Sequence, residues 1–288
     1  MKGIILAGGK GSRLYPMTKA VSKPLVPIYD KPMIYYPLSV LLMAGIRDIM
    51  VITAPPDVEA YKRLLGTGEQ FGIKIEYGIQ YVARGIADAF LIAEDFIGGD
   101  NCCLILGDNL FYGGKLEEQI KEAVSNQDGA TVFGYPVKDP SAYGVVEFDK
   151  NRKVVSIEEK PKQPKSRYAV PGLYFYDGHA VEYAKLLKPS ARGELEITSL
   201  NEEYLKRGKL RVQLFSRGLA WLDTGTPEGI LNAAQYVEAV QSRQGLYIAC
   251  PEEIAWQQGF ITDEQVKTIG NDLKMTEYGQ YLLDLVPR

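Results

Sequence analysis

Lys2-Gly3-Ile4-Ile5-Leu6-Ala7-Gly8-Gly9-Lys10-Gly11-Ser12-Arg13-Leu14 is the stretch that sets the fold class of this 288-residue chain. An apolar run rich in isoleucine reads as a buried strand, and it breaks off into three glycines within positions 8–11. Glycine allows a tight turn and leaves backbone N–H groups free to converge on an anion. Arg13 adds a forked pair of donors, and Lys10 and Lys23 add positive charge. A strand followed by such a turn predicts a phosphate-binding loop. The spacing is not that of a Walker A loop, since no Gly-Lys-Ser/Thr follows. Nor is it the dinucleotide G-x-G-x-x-G pattern, because the third glycine is missing. Lys2 ahead of apolar residues resembles an export signal, but the run is too short and enters the turn directly, so a strand and a cytoplasmic location are expected.

Outward from this loop, short apolar runs alternate with helical stretches. Strands are predicted at 3–6, 48–53, 73–77 and 102–106, and helices at 36–44, 58–65, 87–95 and 116–124. That alternation implies right-handed crossovers and an α/β fold, with a mainly parallel, twisted sheet and helices on both faces. Ligands of such sheets bind beyond the carboxyl ends of the strands. From position 130 the texture changes to strand-like segments at 130–137, 144–148, 154–158 and 172–176. Helices follow at 180–187 and 197–206, then strands at 210–215 and 220–222. The tail from Pro227 is mostly helical, with no Gly/Ser-rich linker to detach it. One domain over 1–288 is expected, made of a first half (1–129), a second half carrying a sheet insertion for a second substrate (130–226) and a helical extension (227–288).

Bulk composition excludes several classes. With 46% hydrophobic and 24% charged residues the chain is an ordinary globular one, and no run approaches the roughly 18–20 apolar residues that span a bilayer. A net charge of −3 argues against non-specific nucleic-acid binding. The single histidine, His179, rules out a histidine pair or a multi-histidine metal centre and reads as structural or exposed. Cys102, Cys103 and Cys250 have neither disulfide nor metal spacing, and the adjacent pair must point to opposite faces of its strand. The clusters Tyr35-Tyr36 and Tyr174-Phe175-Tyr176 suit cores, sugar stacking or a subunit interface, and no ligand is assigned to them.

Two aspartates stand at strand ends beside glycines. Asp108 follows the apolar strand and Gly107, and Asp223 follows Ala220-Trp221-Leu222. Carboxylates brought beside phosphates are hard oxygen ligands suited to Mg²⁺, which takes its remaining ligands from water and substrate. At the end of another strand, Glu159-Lys160-Pro161 supplies an acceptor for hydroxyl hydrogens and a mobile cation for a phosphate.

These segments resemble those of the sugar nucleotidyltransferases, in particular the branch that uses thymidine nucleotides. The resemblance is carried by the loop Gly8-Gly9-Lys10-Gly11-Ser12-Arg13-Leu14-Tyr15-Pro16, by Ser22-Lys23-Pro24-Leu25-Val26-Pro27 and by Lys31 to Leu38. Leu106-Gly107-Asp108-Asn109, Tyr143-Gly144-Val145-Val146, Glu158-Glu159-Lys160-Pro161 and Trp221 to Thr226 continue it in the same order over nearly the whole chain. It implies a glycosyltransferase-A-like fold. It also implies joining of dTTP and α-D-glucose 1-phosphate to dTDP-glucose and pyrophosphate, the first step of dTDP-sugar (dTDP-rhamnose type) biosynthesis. By carry-over, Gly8, Gly9, Gly11, Ser12, Arg13, Lys23 and Asp108 bind the nucleotide, with Gln80 and Gly85 at the base. Tyr143, Gly144, Glu159, Lys160 and Val170 bind the sugar phosphate. Asp108 and Asp223 hold Mg²⁺, and Arg13, Lys23 and Lys160 serve catalysis. A homotetramer is implied too, with a second nucleotide-sugar site at a subunit interface, walled by Glu252-Glu253-Ile254-Ala255-Trp256, where an end product regulates. The sequence departs from the thymidine branch at Lys10, Pro24 and the short loop 81–85, so a uridylyltransferase stays open as an alternative. A non-catalytic sugar-nucleotide sensor and a dinucleotide oxidoreductase are the readings from other classes.

Overall fold

The computed structural model describes residues 1–126 and 128–286. The first half comprises β1 (Lys2–Leu6), a hairpin of β2 (Pro27–Ile28) and β3 (Lys31–Pro32), α1 (Tyr35–Met43), β4 (Asp48–Thr53), α2 (Val58–Leu65) and β5 (Lys74–Ile79). Next come α3 (Asp88–Ile92), α4 (Glu94–Ile97), β6 (Cys102–Leu106), β7 (Asn109–Tyr112) and α5 (Leu116–Ser125). The second half runs β8 (Ala130–Pro136), β9 (Gly144–Phe148), β10 (Val154–Glu159), β11 (Tyr168–Val170) and β12 (Leu173–Tyr176). It continues with α6 (Ala180–Lys185), α7 (Ile197–Lys206), β13 (Leu210–Leu214) and β14 (Ala220–Asp223). Four helices close the chain: α8 (Pro227–Gln244), α9 (Pro251–Gln257), α10 (Asp263–Asp272) and α11 (Glu277–Leu285).

One sheet runs through both halves in the order β10-β9-β11-β8-β12-β6-β1-β4-β5, with β13 also paired to β8. The alternating first half gives the parallel part, β6-β1-β4-β5, as expected. Beyond β6 the pairing turns antiparallel, through β12 and out to β9 and β10, because turn-rich links replace helical crossovers there. β1 is hydrophobic on both faces since both are covered: Ile5 and Cys103 belong to one core cluster, Ile4 and Cys102 to the other, and none of the four has exposed surface. Helices α1, α5 and α9 pack on the first face, and α3, α6 and α7 on the second.

Some boundaries move. The stretch expected as one helix over 87–95 is split at Ala93, whose ψ of 14° breaks it into α3 and α4. The strand expected at 73–77 runs on to Ile79, because β4 extends to Ile52 and Thr53 and those residues pair with Gly78 and Ile79. The tail is helical as expected. Pro227 occupies the first turn of α8, and the Thr226 hydroxyl accepts from the Gly229 amide to cap it. No helix among the described residues is long and apolar enough to cross a membrane.

Two details of this architecture position the chemistry. Leu6 and Leu106 are register partners at the carboxyl ends of β1 and β6, so the glycine loop and Asp108 leave the sheet side by side. The Gly107 amide donates to the Leu6 carbonyl at 2.9 Å. Separately, β7 and β14 form a two-stranded antiparallel ribbon in which Asp223 lies opposite Asn109. That register carries Asp223 to the same place.

Candidate active site

The glycine loop rims a cavity of about 330 Å³. Its first amide, from Ala7, donates to the Ile52 carbonyl at 2.7 Å, and the chain then turns off the sheet. Gly11 needs to be glycine: its φ is +58°, and a Cβ there would meet the Thr18 side chain at 3.2 Å and Lys23 Cβ at 3.3 Å. Gly9, Lys10, Gly11, Ser12 and Arg13 all line the cavity. The exposed Arg13 side chain makes no hydrogen bond or ion pair among the described residues, leaving its five donors to the solvent-filled space.

Lys23 behaves differently from the expectation of a cation waiting for phosphate. It lies in the short 3-10 turn Lys23–Leu25, is buried, and its Nζ donates to Asp108 Oδ2 at 2.6 Å. A buried ammonium needs a partner, and the only carboxylate this one pairs with among the described residues is Asp108. Asp108 is tied down at three atoms. Lys23 holds one carboxylate oxygen, the Asn109 amide donates to the other at 2.9 Å, and its backbone carbonyl accepts from the buried Thr224 hydroxyl at 2.8 Å. Asp223 Oδ1 accepts from the Gly225 amide at 2.9 Å. Gly225 is squeezed between functional groups, since a Cβ there would lie 3.1 Å from Asp223 Oδ1 and 3.4 Å from Arg13 Nη2.

Asp108 and Asp223 line a second cavity of about 560 Å³, which joins the first at Arg13, Leu106 and Asp108. Tyr143, Gly144, Glu159, Lys160 and Val170 all line it. Antiparallel pairing of β9 and β10 puts Gly144 opposite Glu159, and β11 brings Val170 to Gly144 from the other side. Lys160 has φ +42°, a left-handed conformation uncommon for a residue with a side chain, and its amide is held by the Tyr143 carbonyl at 3.0 Å. Its Nζ lies 3.3 Å from Glu159 Oε1 and is about half exposed. The Tyr143 hydroxyl stands 3.5 Å from Asp223 Oδ2. Burial, and secondarily the Asp223 carboxylate, push the Tyr143 pKa up.

Gln80 and Gly85 sit apart from both cavity linings. Gln80 is buried against Gly8, and Gly85 is packed on the Leu195 backbone. Several groups in the crevice were not singled out from sequence. Thr198 donates to Glu159 Oε2 at 2.6 Å, and Arg192 reaches Glu159 Oε1 at 3.3 Å. Asn109 also accepts from Trp221 Nε1 at 2.7 Å and from the Gly172 amide at 3.1 Å. Asn109 beside Asp108 and Trp221 ahead of Asp223 are the local signals in the sequence for these contacts, and Thr198 and Arg192 have none.

The arrangement offers unpaired cationic donors at one end, a carboxylate and an ammonium suited to a polyol phosphate at the other, Asp108 where the cavities meet and Asp223 on the wall of the second. Hard carboxylate oxygens on one wall fit a Mg²⁺ ion that completes its shell with phosphate and water. Among the described residues no three His, Cys, Asp or Glu side chains cluster to hold a metal by themselves.

Residues 2–240 match the family model described as nucleotidyl transferase. A glucose-1-phosphate thymidylyltransferase of Neisseria gonorrhoeae is 61% identical over 286 residues, covering 99% of both chains. That of Mycobacterium tuberculosis is 53% identical over 288 residues and the full length of both. Among solved structures, a Bacillus anthracis chain assigned as a glucose-1-phosphate thymidylyltransferase, in complex with sucrose, superposes with a TM-score of 0.76. It is 46% identical and covers 82% of this chain and 94% of its own. A UDP-glucose pyrophosphorylase bound to UDP-glucose shares the fold, with a TM-score of 0.74 at 24% identity over 84% of this chain and 99% of its own.

Proposed function

The chain belongs to the nucleotidyl transferase family, and from that premise we propose that it is a glucose-1-phosphate thymidylyltransferase, making dTDP-glucose and pyrophosphate from dTTP and α-D-glucose 1-phosphate. The observation that carries this reading is the pair of joined cavities, with the glycine loop and Arg13 on one side and Glu159 and Lys160 on the other. Two anionic substrates can lie end to end there, with the α-phosphorus at the junction. A phosphate oxygen of the sugar attacks that phosphorus while its bond to the bridging oxygen of the departing pyrophosphate breaks. No covalent enzyme intermediate is required, and neither cavity is lined by a histidine or cysteine.

Each side chain then has a role. The backbone amides at Gly8, Gly9 and Gly11 and the Ser12 hydroxyl receive the triphosphate, and Lys23 serves the same site by holding the Asp108 carboxylate in place. Arg13 takes up the charge that grows on pyrophosphate. Lys160 holds the attacking phosphate, Glu159 accepts from sugar hydroxyls, and Tyr143, Gly144 and Val170 border the sugar. Catalysis by this set is positioning and charge stabilisation. Asp108 and Asp223 would hold Mg²⁺, which when bound neutralises charge on the phosphates.

The same reading extends to assembly: a homotetramer, with an end-product site beside α9. In support, a hollow of about 160 Å³ lies against α9 and takes in Tyr112, Cys250, Glu253 and Ile254. The three cysteines are free and buried, which suits the cytoplasm, where triphosphates are made. A matrix of triphosphates against sugar 1-phosphates, scored by pyrophosphate release, tests the assignment. Highest kcat/KM for dTTP with glucose 1-phosphate is expected. Preference for UTP would make the enzyme a uridylyltransferase, and binding without pyrophosphate would make it a sensor.

A further inference from the structure

The Gln80 carboxamide can present either end to a ligand, and the two ends require opposite partners: the oxygen accepts, the NH₂ donates. Its neighbours decide which end is free. Nε2 lies 3.1 Å from Asp88 Oδ2 and 3.4 Å from the Gly85 carbonyl oxygen. A carboxylate and a carbonyl only accept, so both amide hydrogens are used there, and a reversed amide would set oxygen against oxygen. Asp88 is itself fixed, 1% exposed in the first turn of α3, with Arg84 Nη2 at 2.8 Å from its Oδ1 as an ion pair. Gly85 is equally immobile: its φ is +109°, and a Cβ there would fall 2.4 Å from the Leu195 carbonyl oxygen.

Gln80 Oε1 is therefore the end left over. It stands beside Gly8, where an added Cβ would lie 2.8 Å away. Among the described residues it accepts no hydrogen bond. Nor is it one of the buried atoms without a hydrogen-bond partner, which are Ser39 Oγ, Asn201 Nδ2 and Asp88 Oδ1, the last of these facing Arg84 as an ion pair and not in hydrogen-bond geometry, so solvent reaches Gln80 Oε1 at the edge of the glycine loop.

We propose that Asp88, held by Arg84, is a positioning residue for base selection: it turns Gln80 so that the slot beside Gly8 presents an acceptor to a pyrimidine N3–H. Thymine and uracil carry that hydrogen. Cytosine carries a lone pair at N3 and meets the Gln80 oxygen with repulsion, so it is excluded by an opposed pair of acceptors. Thymine and uracil are not separated by this contact. The inference rests on the nucleotidyl transfer proposed above.

Asp88→Asn keeps the shape but offers Gln80 either an oxygen or an NH₂, so the glutamine amide can turn over. With glucose 1-phosphate fixed, the ratio of kcat/KM for dTTP to that for dCTP should fall by about 10-fold or more, chiefly because dCTP improves. Equilibrium binding of dTTP and dCTP, with a thermal melt as the folding control, reads the same ratio in a variant too slow to assay. A purely structural role for Asp88 would weaken both nucleotides together, and an unchanged ratio in a folded variant overturns the proposal. Wild-type enzyme that uses dCTP as well as dTTP would overturn the base-selection reading before any variant is made, and wild type that uses neither would sink the nucleotidyl-transfer reading with it.

Discussion

Asp108→Asn preserves the shape of the side chain and removes one charge where Lys23 Nζ and Asp108 Oδ2 lie 2.6 Å apart. At an effective dielectric of about 20 the gross attraction at that distance is about 6 kcal/mol. Most of it offsets the cost of burying the lysine, and the Asp108 side chain, 31% exposed, is partly screened by water. The expected net loss of stability is about 1–3 kcal/mol, visible as a Tm lower by several degrees. The catalytic loss should be larger. If Asp108 is one of the two proposed oxygen ligands, its loss would leave Mg²⁺ under-coordinated and phosphate charge uncompensated, costing about 10²- to 10⁴-fold in kcat, or about 3–5 kcal/mol of barrier. Pyrophosphate release well below the melting transition separates the two effects, since the variant stays folded there. Asp223→Asn should cost a similar factor, and the double variant should be little worse than the worse single one, because in the proposed site both carboxylates would serve one ion. Costs that multiply fully in the double variant would mean the aspartates act independently. Full activity in EDTA would remove the metal from the reasoning altogether.

Lys160→Met should raise the apparent KM for sugar phosphate far more than that for triphosphate, because one charge-assisted contact is lost at one substrate only; equal effects in a two-substrate titration would count against the assignment. Arg13→Ala should lower kcat by about 100-fold, with Tm unchanged because its side chain has no partner among the described residues to lose; an unaltered kcat would take Arg13 out of the mechanism. Glu252 is buried, accepts from the Tyr278 hydroxyl at 2.5 Å, and has its pKa raised by burial first. A carboxyl whose folded pKa is raised contributes stability below its unfolded value and loses it as pH rises through the folded one. Glu252→Gln should therefore gain Tm relative to wild type as pH rises above the ordinary glutamate range; a difference that is flat or falls with pH would show that the carboxylate is not the strained form.

What sequence reveals of this molecule follows the range of the forces involved. β4, β6 and β9 are legible to the residue because each is a local apolar run bounded by turn-forming residues. β7 and β11 are not, since four and three residues carry too little pattern and their pairing comes from distant chain. The glycine loop announces itself because its chemistry is local. The Lys23–Asp108 pair is hidden, since the residues are 85 positions apart and a lysine beside a phosphate loop reads as a phosphate ligand. Arg192 and Thr198 reach Glu159 across 33 and 39 positions for the same reason. Gln80 and Gly85 are expected at the base only through the family resemblance, and the contact of Asp88 with the Gln80 amide is not legible at all, because α3 reads from sequence as an ordinary helix.

The ribbon of β7 and β14 also bears on the order in which the proposed site can assemble. Thr224 grips the Asp108 carbonyl from 116 positions away, so the crevice closes over a span of that length. Such a closure is entropically costly and belongs late in folding. On a growing chain the glycine loop, Lys23, Asp108, Glu159 and Lys160 all precede β14, and the second carboxylate arrives only with it. A chain released from the ribosome after β13 should bind triphosphate weakly and release no pyrophosphate, as a discontinuous translation assay would register. On this reading a copy that stops short of β14 consumes no nucleotide, and the crevice can close only once β14 has been made.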